Sequence, residues 1–279
     1  MPRYLVAQSE LPDERAQRRA RAGKSAGETY AATLTQLRPG ASVAIASPSD
    51  DDAPGLAAED IAGFDAVFLT GSPMHVYDRT PEVERQLDFM RSVFASGVPA
   101  FGSCAGLQVA VAAAGGKVRK MPRRMEAGIA RRISATAAGR GHWLLAGRTP
   151  SWDAPAIHGD EVEELPPGAT LLASNEVTHV QAAEIRCGNG TFWGVQYHPE
   201  LALAEIATAL RAQREELVAV GLADREDDVL ARADDLDALH DDPGSLAVRW
   251  RIGVDGQFAE QRCRRLEIIN FLKHVPPRG

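Results

Sequence analysis

The sequence contains few cysteines, and none of them are closely spaced. Cys104, Cys187 and Cys263 are an odd number separated by wide intervals, and no C-x-x-C pair occurs. A disulfide framework needs an even set of cysteines, and zinc sites typically use ligands at short spacing, so the sequence disfavours both. We therefore expect a reducing, cytoplasmic setting and no metal site, with Cys187 and Cys263 as inert core residues.

Long apolar runs and an excess of positive charge are also absent. No stretch approaches the roughly 20 apolar residues needed to span a bilayer. The N-terminal "MPRYLVAQSELPDER" reaches charged residues too soon to hold a signal-peptide core. The sequence contains 31 Lys and Arg residues and 38 Asp and Glu residues, which give a formal net charge of −7. Nucleic-acid binding needs clustered positive charge, so we expect neither a nucleic-acid partner nor a membrane partner.

Strand-like and helix-like segments alternate up to about residue 200. Apolar strand-like runs occur at "RYLVAQ", "ASVAIAS", "FDAVFLT" and "VPAFGS", and later at "TLLAS", "HVQAAEIRC" and "TFWGVQYH". Between the early runs lie amphipathic helical patterns such as "PEVERQLDFMRSVFASG", with Pro near its start and Gly at its end. This alternation predicts an α/β fold with an open, mostly parallel sheet that helices cover on both faces.

The pattern changes to helical after Leu201. Three long helical segments follow, although "LAVRWRIGV" is compatible with a strand or a helix. We therefore divide the chain into an α/β domain, residues 1–203, and a helical C-terminal extension, residues 204–279. Apolar stripes in the extension need burial, and we expect them to pack on the α/β domain with a further homodimer contact. The stripes comprise Leu203, Ile206, Leu210 and Leu217, and then Leu266, Ile269, Phe271 and Leu272.

One cysteine stands where a nucleophile would. Cys104 lies between Gly102 and Gly106, after the strand-like "VPAFGS" and before a short apolar helix. A strand, sharp turn and helix present such a side chain at the C-terminal edge of the sheet, where open α/β folds bind ligands. The helix dipole favours a thiolate there, and the backbone N–H of Ala105 can face a developing oxyanion. A small-residue helix start with a buried cysteine explains this stretch alone equally well.

A cysteine nucleophile needs a base, and the base needs a group that orients it. His198 ends the strand-like "TFWGVQYH" and precedes Pro199 and Glu200. Proline favours an extended residue before it, and in an extended chain His198 and Glu200 point to the same side. A second oxyanion donor is predicted in the turn "TGSP", at Gly71 and Ser72, because that turn also follows a buried strand.

These motifs together resemble the class I (triad) glutamine amidotransferases, particularly stand-alone proteins similar to the amidotransferase domain of GMP synthase. The resemblance covers roughly residues 1–203 and is carried by "TGSP", "GSCAGLQ" and "GVQYHPE". It implies the flavodoxin-like fold of that family, with no cofactor, and it places the catalytic triad at Cys104, His198 and Glu200.

The resemblance also implies a substrate pocket. Gln108 falls where the family has a glutamine near the substrate, and Gly159 and Asp160 fall in a segment that meets the substrate's α-amino and α-carboxylate groups. Ser72 is a departure, since the family has a second glycine at that position, although a backbone N–H is retained. No synthetase domain follows the motifs.

The resulting hypothesis is hydrolysis of the glutamine side-chain amide through a thioester, giving glutamate and ammonia for a separate synthetase or a small-molecule pathway. Two alternatives remain open: a γ-glutamyl hydrolase acting on a larger γ-glutamyl conjugate, and a non-catalytic binding module of the same fold. An α/β-hydrolase with a cysteine nucleophile is a poorer match, because its acid would precede the histidine in the chain.

Overall fold

The computed structural model describes residues 1–122 and 125–275. The strands in these residues are β1 (Arg3–Ala7), β2 (Ser42–Ala46), β3 (Ala66–Leu69), β4 (Ala100–Ser103), β5 (Lys117–Lys120), β6 (Glu126–Ala135), β7 (Ser151–His158), β8 (Asp160–Glu164), β9 (Ala169–Ser174), β10 (Ala182–Cys187) and β11 (Gly190–Val195). The helices before the last strand are α1 (Pro12–Ala22), α2 (Ala26–Leu37), α3 (Ala58–Ile61), α4 (Pro81–Ser96) and α5 (Ala105–Ala113). Those after it are α6 (Leu203–Ala212), α7 (Arg214–Ala219), α8 (Glu226–Asp241), α9 (Leu246–Ile252), α10 (Gly256–Ala259), α11 (Gln261–Arg264) and α12 (Leu266–His274). Within the described ranges, no helix is both long enough and apolar enough to cross a membrane.

Nine strands form one open sheet in the order β2-β1-β3-β4-β11-β10-β9-β6-β7. The first five strands in this order are parallel, and the next four pair antiparallel. The parallel strands need helical crossovers, whereas β10 and β11 join through the tight turn at Gly188 and Asn189. β5 and β8 pair separately. The predicted α/β class and open sheet, with a helical C-terminal region, are confirmed.

Helices bury both faces of the parallel strands. On one face, α4 and α5 place residues such as Leu87 and Leu107 against β3 and β4. On the other face, Tyr30 of α2 and Phe271 of α12 belong to one cluster with Phe68 and Phe101. The ring centroid of Phe271 lies 5.3 Å from that of Phe68 and 5.6 Å from that of Phe101. A helix late in the chain therefore completes the cover of the central strands.

The C-terminal region is more divided than the three predicted helical segments. The first segment breaks at Gln213 into α6 and α7, and the third becomes α10, α11 and α12. The ambiguous "LAVRWRIGV" forms helix α9, capped by Ser245. α6, α7, α8, α9 and α10 share a separate apolar cluster with the β6–β7 hairpin. Residues 276–279 of the predicted extension lie outside the described residues.

The predicted apolar stripes are mostly buried, which agrees with the expectation that this region packs on the α/β domain. All four stripe residues of α6 and α7 are buried. In α12, Phe271 and Leu272 are buried, but Leu266 and Ile269 are only half-buried. Ile268 is fully buried instead of its neighbour. The predicted stripe in α12 was therefore wrong by one residue at this point, because Ile268 rather than Ile269 faces the sheet core.

Candidate active site

Cys104 lies at a sharp turn between β4 and α5, at the C-terminal edge of the parallel strands. Its backbone has φ 54° and ψ −113°, a strained conformation for a residue with a side chain. The backbone N–H of Cys104 donates a hydrogen bond of 2.9 Å to the carbonyl of Val195 at the end of β11. The neighbouring strand therefore fixes the turn, and the side chain is almost fully buried, with 6% exposure.

The glycines on either side of Cys104 make this turn sterically feasible. A Cβ on Gly102 would lie 2.9 Å from Cζ of Phe192 and 3.1 Å from the carbonyl oxygen of Leu69. A Cβ on Gly106 would lie 2.6 Å from the same oxygen. Helix α5 therefore starts in direct contact with the backbone of β3, which only glycine permits.

His198 and Glu200 lie beside this turn, on the segment that follows β11. Nδ1 of His198 and Oε1 of Glu200 are 2.8 Å apart, and both side chains are buried. The backbone N–H of His198 donates to the carbonyl of Pro155 on β7 over 2.8 Å. Because Glu200 occupies Nδ1, the other ring nitrogen is the one that can exchange a proton with Cys104.

The charges around His198 favour its protonated form. Burial lowers the pKa of His198, but the carboxylate of Glu200 and the negative charge and hydrogen bond of the Cys104 sulfur outweigh it and raise this pKa to about 10. An imidazolium between a carboxylate and a sulfur is the arrangement that supports a cysteine thiolate as nucleophile.

The predicted oxyanion loop, Gly71 and Ser72, also reaches the Cys104 turn and His198. A Cβ on Gly71 would lie 2.7 Å from Cε1 of His198 and 3.4 Å from Cβ of Cys104, so Gly71 contacts both side chains. Ser72 follows directly, and its hydroxyl accepts a 3.1 Å hydrogen bond from the N–H of Met74, which tightens the turn. Ala105 is the first residue of α5, and its N–H therefore has no partner within the helix. Gly71 thus contacts Cys104 from the predicted oxyanion loop, and Ala105 follows Cys104 at the start of α5.

The predicted substrate residues form a second group, and the structure adds two more. Nε2 of Gln108 donates to the carbonyl of Asp160 over 3.2 Å. Gly159 precedes Asp160, and a Cβ there would meet open space. The Asp160 carboxylate lies 2.6 Å from Nδ1 of His75 and accepts a 3.0 Å hydrogen bond from the hydroxyl of Tyr77.

His75 and Tyr77 were not predicted, although both stand just after "TGSP". Through these contacts, the loop predicted to hold the oxyanion is joined to Asp160, one of the predicted substrate residues. Burial and the hydrogen bond from its hydroxyl to Asp160 raise the pKa of Tyr77 to about 12, which keeps that hydroxyl a donor. The signal that could have found the two residues is the run of polar and aromatic residues in this loop.

The prediction that the other two cysteines are core residues was wrong, because both are only half-buried. Cys187 ends β10 and packs beside the core, and Cys263 is in α11, where burial raises its pKa. Within residues 1–122 and 125–275, no group of three or more His, Cys, Asp or Glu side chains has an arrangement that could hold a metal ion.

The sequence matches the family described as glutamine amidotransferase class-I over residues 24–214. It is 34% identical to a gamma-glutamyl-L-1-hydroxyisopropylamide hydrolase from Pseudomonas sp., over 98% of this chain and 92% of that protein. It is 37% identical to a GMP synthase [glutamine-hydrolyzing] from Leifsonia xyli, but over 52% of this chain and only 27% of that protein. A protein from Sulfolobus acidocaldarius, named as one subunit of a glutamine-hydrolyzing GMP synthase, is 33% identical over 54% of this chain and 76% of that protein.

Solved structures share the fold at low sequence identity. The structure of a glutamine amidotransferase from Thermotoga maritima matches with a TM-score of 0.66 at 15% identity, covering 99% of this chain and 98% of that one. A glutamine amidotransferase from Methylobacillus flagellatus gives a TM-score of 0.60 at 19% identity, covering 100% and 96%. Both likenesses extend over the C-terminal helices. The family match over more than half of the chain shows that this protein belongs to the class I glutamine amidotransferases.

Proposed function

We propose that this protein hydrolyses γ-glutamyl amides, with Cys104 as nucleophile, His198 as acid and base, and Glu200 as the group that orients His198. The observation that supports this most directly is the buried contact of Glu200 with His198 beside the strained Cys104 turn. A binding module that did not turn over substrate would have no need for a strained, buried cysteine next to an imidazolium.

In the first half of the reaction, the Cys104 sulfur attacks the γ-carbonyl carbon of the substrate. The carbonyl oxygen becomes an oxyanion, which the N–H groups of Ala105 and the Gly71–Ser72 turn stabilise. His198 gives its proton to the amide nitrogen, and the C–N bond breaks. Amine or ammonia leaves, and a γ-glutamyl thioester remains on Cys104.

In the second half, water replaces the amine. His198, now neutral, accepts a proton from the water as the oxygen attacks the thioester carbon. The C–S bond breaks, glutamate is released, and the thiolate and imidazolium are restored. Glu200 keeps Nδ1 of His198 protonated throughout, so that the same ring nitrogen gives and receives the proton.

Among γ-glutamyl amides, we propose N-substituted conjugates as the preferred substrates. The relative named as a gamma-glutamyl-L-1-hydroxyisopropylamide hydrolase, an enzyme for an N-substituted γ-glutamyl amide, matches along nearly the whole chain, C-terminal helices included. The GMP synthase from Leifsonia matches only about half of this chain. Glutamine is the second candidate, and the similarity to GMP synthase amidotransferase sequences favours it.

The test compares γ-glutamyl ethylamide, γ-glutamyl isopropylamide and glutamine with the full-length protein, measuring glutamate, amine and ammonia. We expect kcat/KM for the alkylamides, which add two or three carbon atoms to the amide nitrogen, to exceed that for glutamine by about tenfold or more, since one added methylene group can already provide about that discrimination. Equal or higher kcat/KM for glutamine would make glutamine hydrolysis the function. Activity on none of the three, or full activity in Cys104→Ala, would contradict the proposal.

Covalent labelling provides an independent test of the nucleophile. A diazo-ketone analogue of glutamine should alkylate Cys104, and mass spectrometry of the digest identifies the labelled peptide. A label on Cys187 or Cys263, with Cys104 unmodified, would contradict the assignment.

Two partner predictions remain proposals. If glutamine is the substrate, ammonia passes to a separate synthetase, in line with the Sulfolobus relative that is named as part of a GMP synthase. The homodimer predicted from the sequence would cover Leu246 and Trp250 of α9, which are 78% and 86% exposed and one helical turn apart. Light scattering after size exclusion tests it, and an unchanged mass for Trp250→Asp would contradict this face as the contact.

A further inference from the structure

A buried arginine of the C-terminal helices reaches the back of the proposed triad. Arg265 lies between α11 and α12 and is 8% exposed. Its guanidinium donates from Nη1 to Oε1 of Gln36 over 2.8 Å and from Nη2 to the hydroxyl of Thr33 over 3.3 Å. The Thr33 hydroxyl in turn donates to the carbonyl of Glu200 over 3.3 Å. A relay of two hydrogen bonds thus connects Arg265 to the peptide group of Glu200.

The charges agree with this connection. Burial lowers the pKa of Arg265, while the carboxylates of Glu205 and Glu200 oppose the decrease. Glu200 uses Oε1 for His198, and its Oε2 is buried without a hydrogen-bond partner among the described residues. Nε of Arg265 is likewise buried and unpartnered among these residues. An ionised carboxylate at such a site needs a nearby compensating charge, and Arg265 supplies a second one besides His198.

A second contact from the same region lies two residues further on. Glu267 is fully buried, pairs with Arg148 through two bonds of 2.7 Å, and accepts a 2.9 Å hydrogen bond from the hydroxyl of Tyr197. Tyr197 directly precedes His198 in the chain. The segment from Tyr197 to Glu200 is therefore held at both ends by α12 and the residue before it.

We infer that Arg265 is a positioning residue of the triad, which holds the Glu200 peptide through Thr33 and balances the Glu200 carboxylate. The inference rests on the proposed function, because it concerns how Glu200 orients His198 during hydrolysis. It makes the C-terminal helices part of the catalytic apparatus, although none of their side chains touches the substrate in this scheme.

The neighbouring residue offers a matched control. Arg264 is 3% exposed, and its Nη1 donates to the carbonyls of Phe258 and Ala259 over 2.8 and 2.6 Å. These bonds lie within the C-terminal helices and do not lead to the triad. Replacement of either arginine by Gln removes one buried charge and its bonds, but only Arg265 is joined to Glu200.

The experiment compares Arg265→Gln, Arg265→Lys and Arg264→Gln in the full-length chain, with γ-glutamyl isopropylamide and thermal unfolding. We expect Arg265→Gln to lower kcat by about 10- to 100-fold, the usual effect of losing a group that orients a reactive one. KM should stay within about twofold, because Arg265 does not meet the substrate. Arg265→Lys should recover part of the loss, and Arg264→Gln should destabilise the fold while keeping kcat within about twofold.

Thr33→Val keeps the experiment decisive if Arg265→Gln does not fold, because it breaks the relay without removing a charge. The high-pH limit of kcat/KM should move down by about 0.5 pH unit, the effect of one weakened hydrogen bond on the imidazolium. The inference is overturned if kcat of Arg265→Gln stays within twofold of the parent, if the high-pH limit of Thr33→Val equals that of the parent, or if Arg264→Gln loses as much kcat as Arg265→Gln. Failure of the parent protein itself on every γ-glutamyl amide would instead count against the proposed function.

Discussion

Two buried histidine–carboxylate pairs lie in neighbouring parts of this molecule, and they are built differently. His198 and Glu200 follow β11 beside Cys104. His158 ends β7, and its Nε2 lies 3.3 Å from Oε2 of Glu126 at the start of β6. The Glu126 carboxylate also accepts hydrogen bonds of 2.6 to 2.8 Å from Asn175, Thr178 and Gln181.

The two pairs differ in how the carboxylate is held and in which group lies beside the histidine. Nδ1 of His158 faces the carbonyl of Asp160 at 3.0 Å, whereas its Nε2 faces Glu126 without forming a hydrogen bond among the described residues. Glu200 has one hydrogen-bonded oxygen and, among the described residues, one unpartnered oxygen, and its histidine keeps one nitrogen for Cys104. A carboxylate whose two oxygens are both held by neighbouring side chains fixes the surrounding backbone, whereas a histidine that lies beside a cysteine can move a proton. The same residue types therefore serve structure in one place and the proposed chemistry in the other.

Alanine variants of the two histidines and of the cysteine should show the largest contrast. We expect Cys104→Ala and His198→Ala to lower kcat by about 10⁴-fold or more, as the loss of a nucleophile or its base does. His158→Ala should destabilise the protein yet retain kcat within about tenfold, because His158 belongs to the buried polar group around Glu126 and not to the proposed triad. Single-turnover kinetics and thermal unfolding measure the two effects. An equal loss of kcat in His198→Ala and His158→Ala would contradict the distinction between a catalytic and a structural histidine.

Variants of the two carboxylates, Glu200 and Glu126, should also differ in their loss of kcat, but by less than the two histidine variants. Glu200→Gln is expected to lower kcat by about 10² to 10⁴-fold with little change in KM, a smaller loss than for His198→Ala, since the amide can still orient the ring in part. Glu126→Gln should mainly lower the free energy of unfolding, by about 1–3 kcal/mol, because it leaves buried donors unmatched. Urea titrations beside steady-state kinetics test both. A Glu200→Gln enzyme as active as the parent would reduce Glu200 to a structural carboxylate.

The pairs should also respond at opposite ends of the pH scale. The pKa of His198 is raised from 6.5 to about 10, so its contribution to stability is complete below pH 6.5 and is lost as pH rises through 10. Burial raises the pKa of Glu126, but His158 and the surrounding donors outweigh it and lower this pKa below its usual 4.5. Its contribution is present above pH 4.5 and is lost on acidification.

The free energy of unfolding, measured across the pH scale, should therefore distinguish each variant from the parent at a different end. Glu200→Gln should differ from the parent at alkaline pH, and Glu126→Gln should differ from it at acid pH. The high-pH limit of kcat/KM should lie near pH 10 in the parent and lower in Glu200→Gln. Identical pH profiles for the parent and both variants would contradict these assignments.

The smallest effect is expected at Ser72, the residue that departs from the family's glycine. Ser72→Gly removes the bond from the Met74 N–H and keeps the backbone N–H of residue 72. We expect kcat to change by about 2- to 10-fold at most, the value of one modest hydrogen bond. A larger loss in the substrate panel would show that the hydroxyl itself acts on the oxyanion.

The candidate triad was predictable because its signals are local. The glycines around Cys104 and the spacing of His198 and Glu200 express sharp turns and extended backbone, which neighbouring residues dictate. The parallel strands were predictable for a similar reason, since each is a short apolar run. The candidate site and the half of the sheet that carries it could therefore be anticipated without a structure.

The remainder depends on contacts between distant segments. No strand was predicted between Lys117 and Glu164, where β5, β6, β7 and β8 form, because Gly128, Pro155 and the charged residues there interrupt any apolar alternation. Nothing in the spacing of Arg265 links it to Thr33, which is 232 residues away along the chain. Contacts between distant residues depend on which helix covers which face of the sheet. A shift of one residue along a helix, as at Ile268, changes which side chain is buried.

The position of α12 has a consequence for how the protein becomes active during synthesis. Its Phe271 closes over Phe68 and Phe101, yet it follows every strand of the sheet in the chain. As a ribosome makes the protein from the N-terminus, those rings still lack the cover of Phe271 after Cys104, His198 and Glu200 have all been translated. Contacts of such long sequence separation form late and slowly. We therefore expect the proposed triad to reach its final geometry only when nearly the whole chain has been made, so that an incomplete nascent chain carries the three residues without that arrangement.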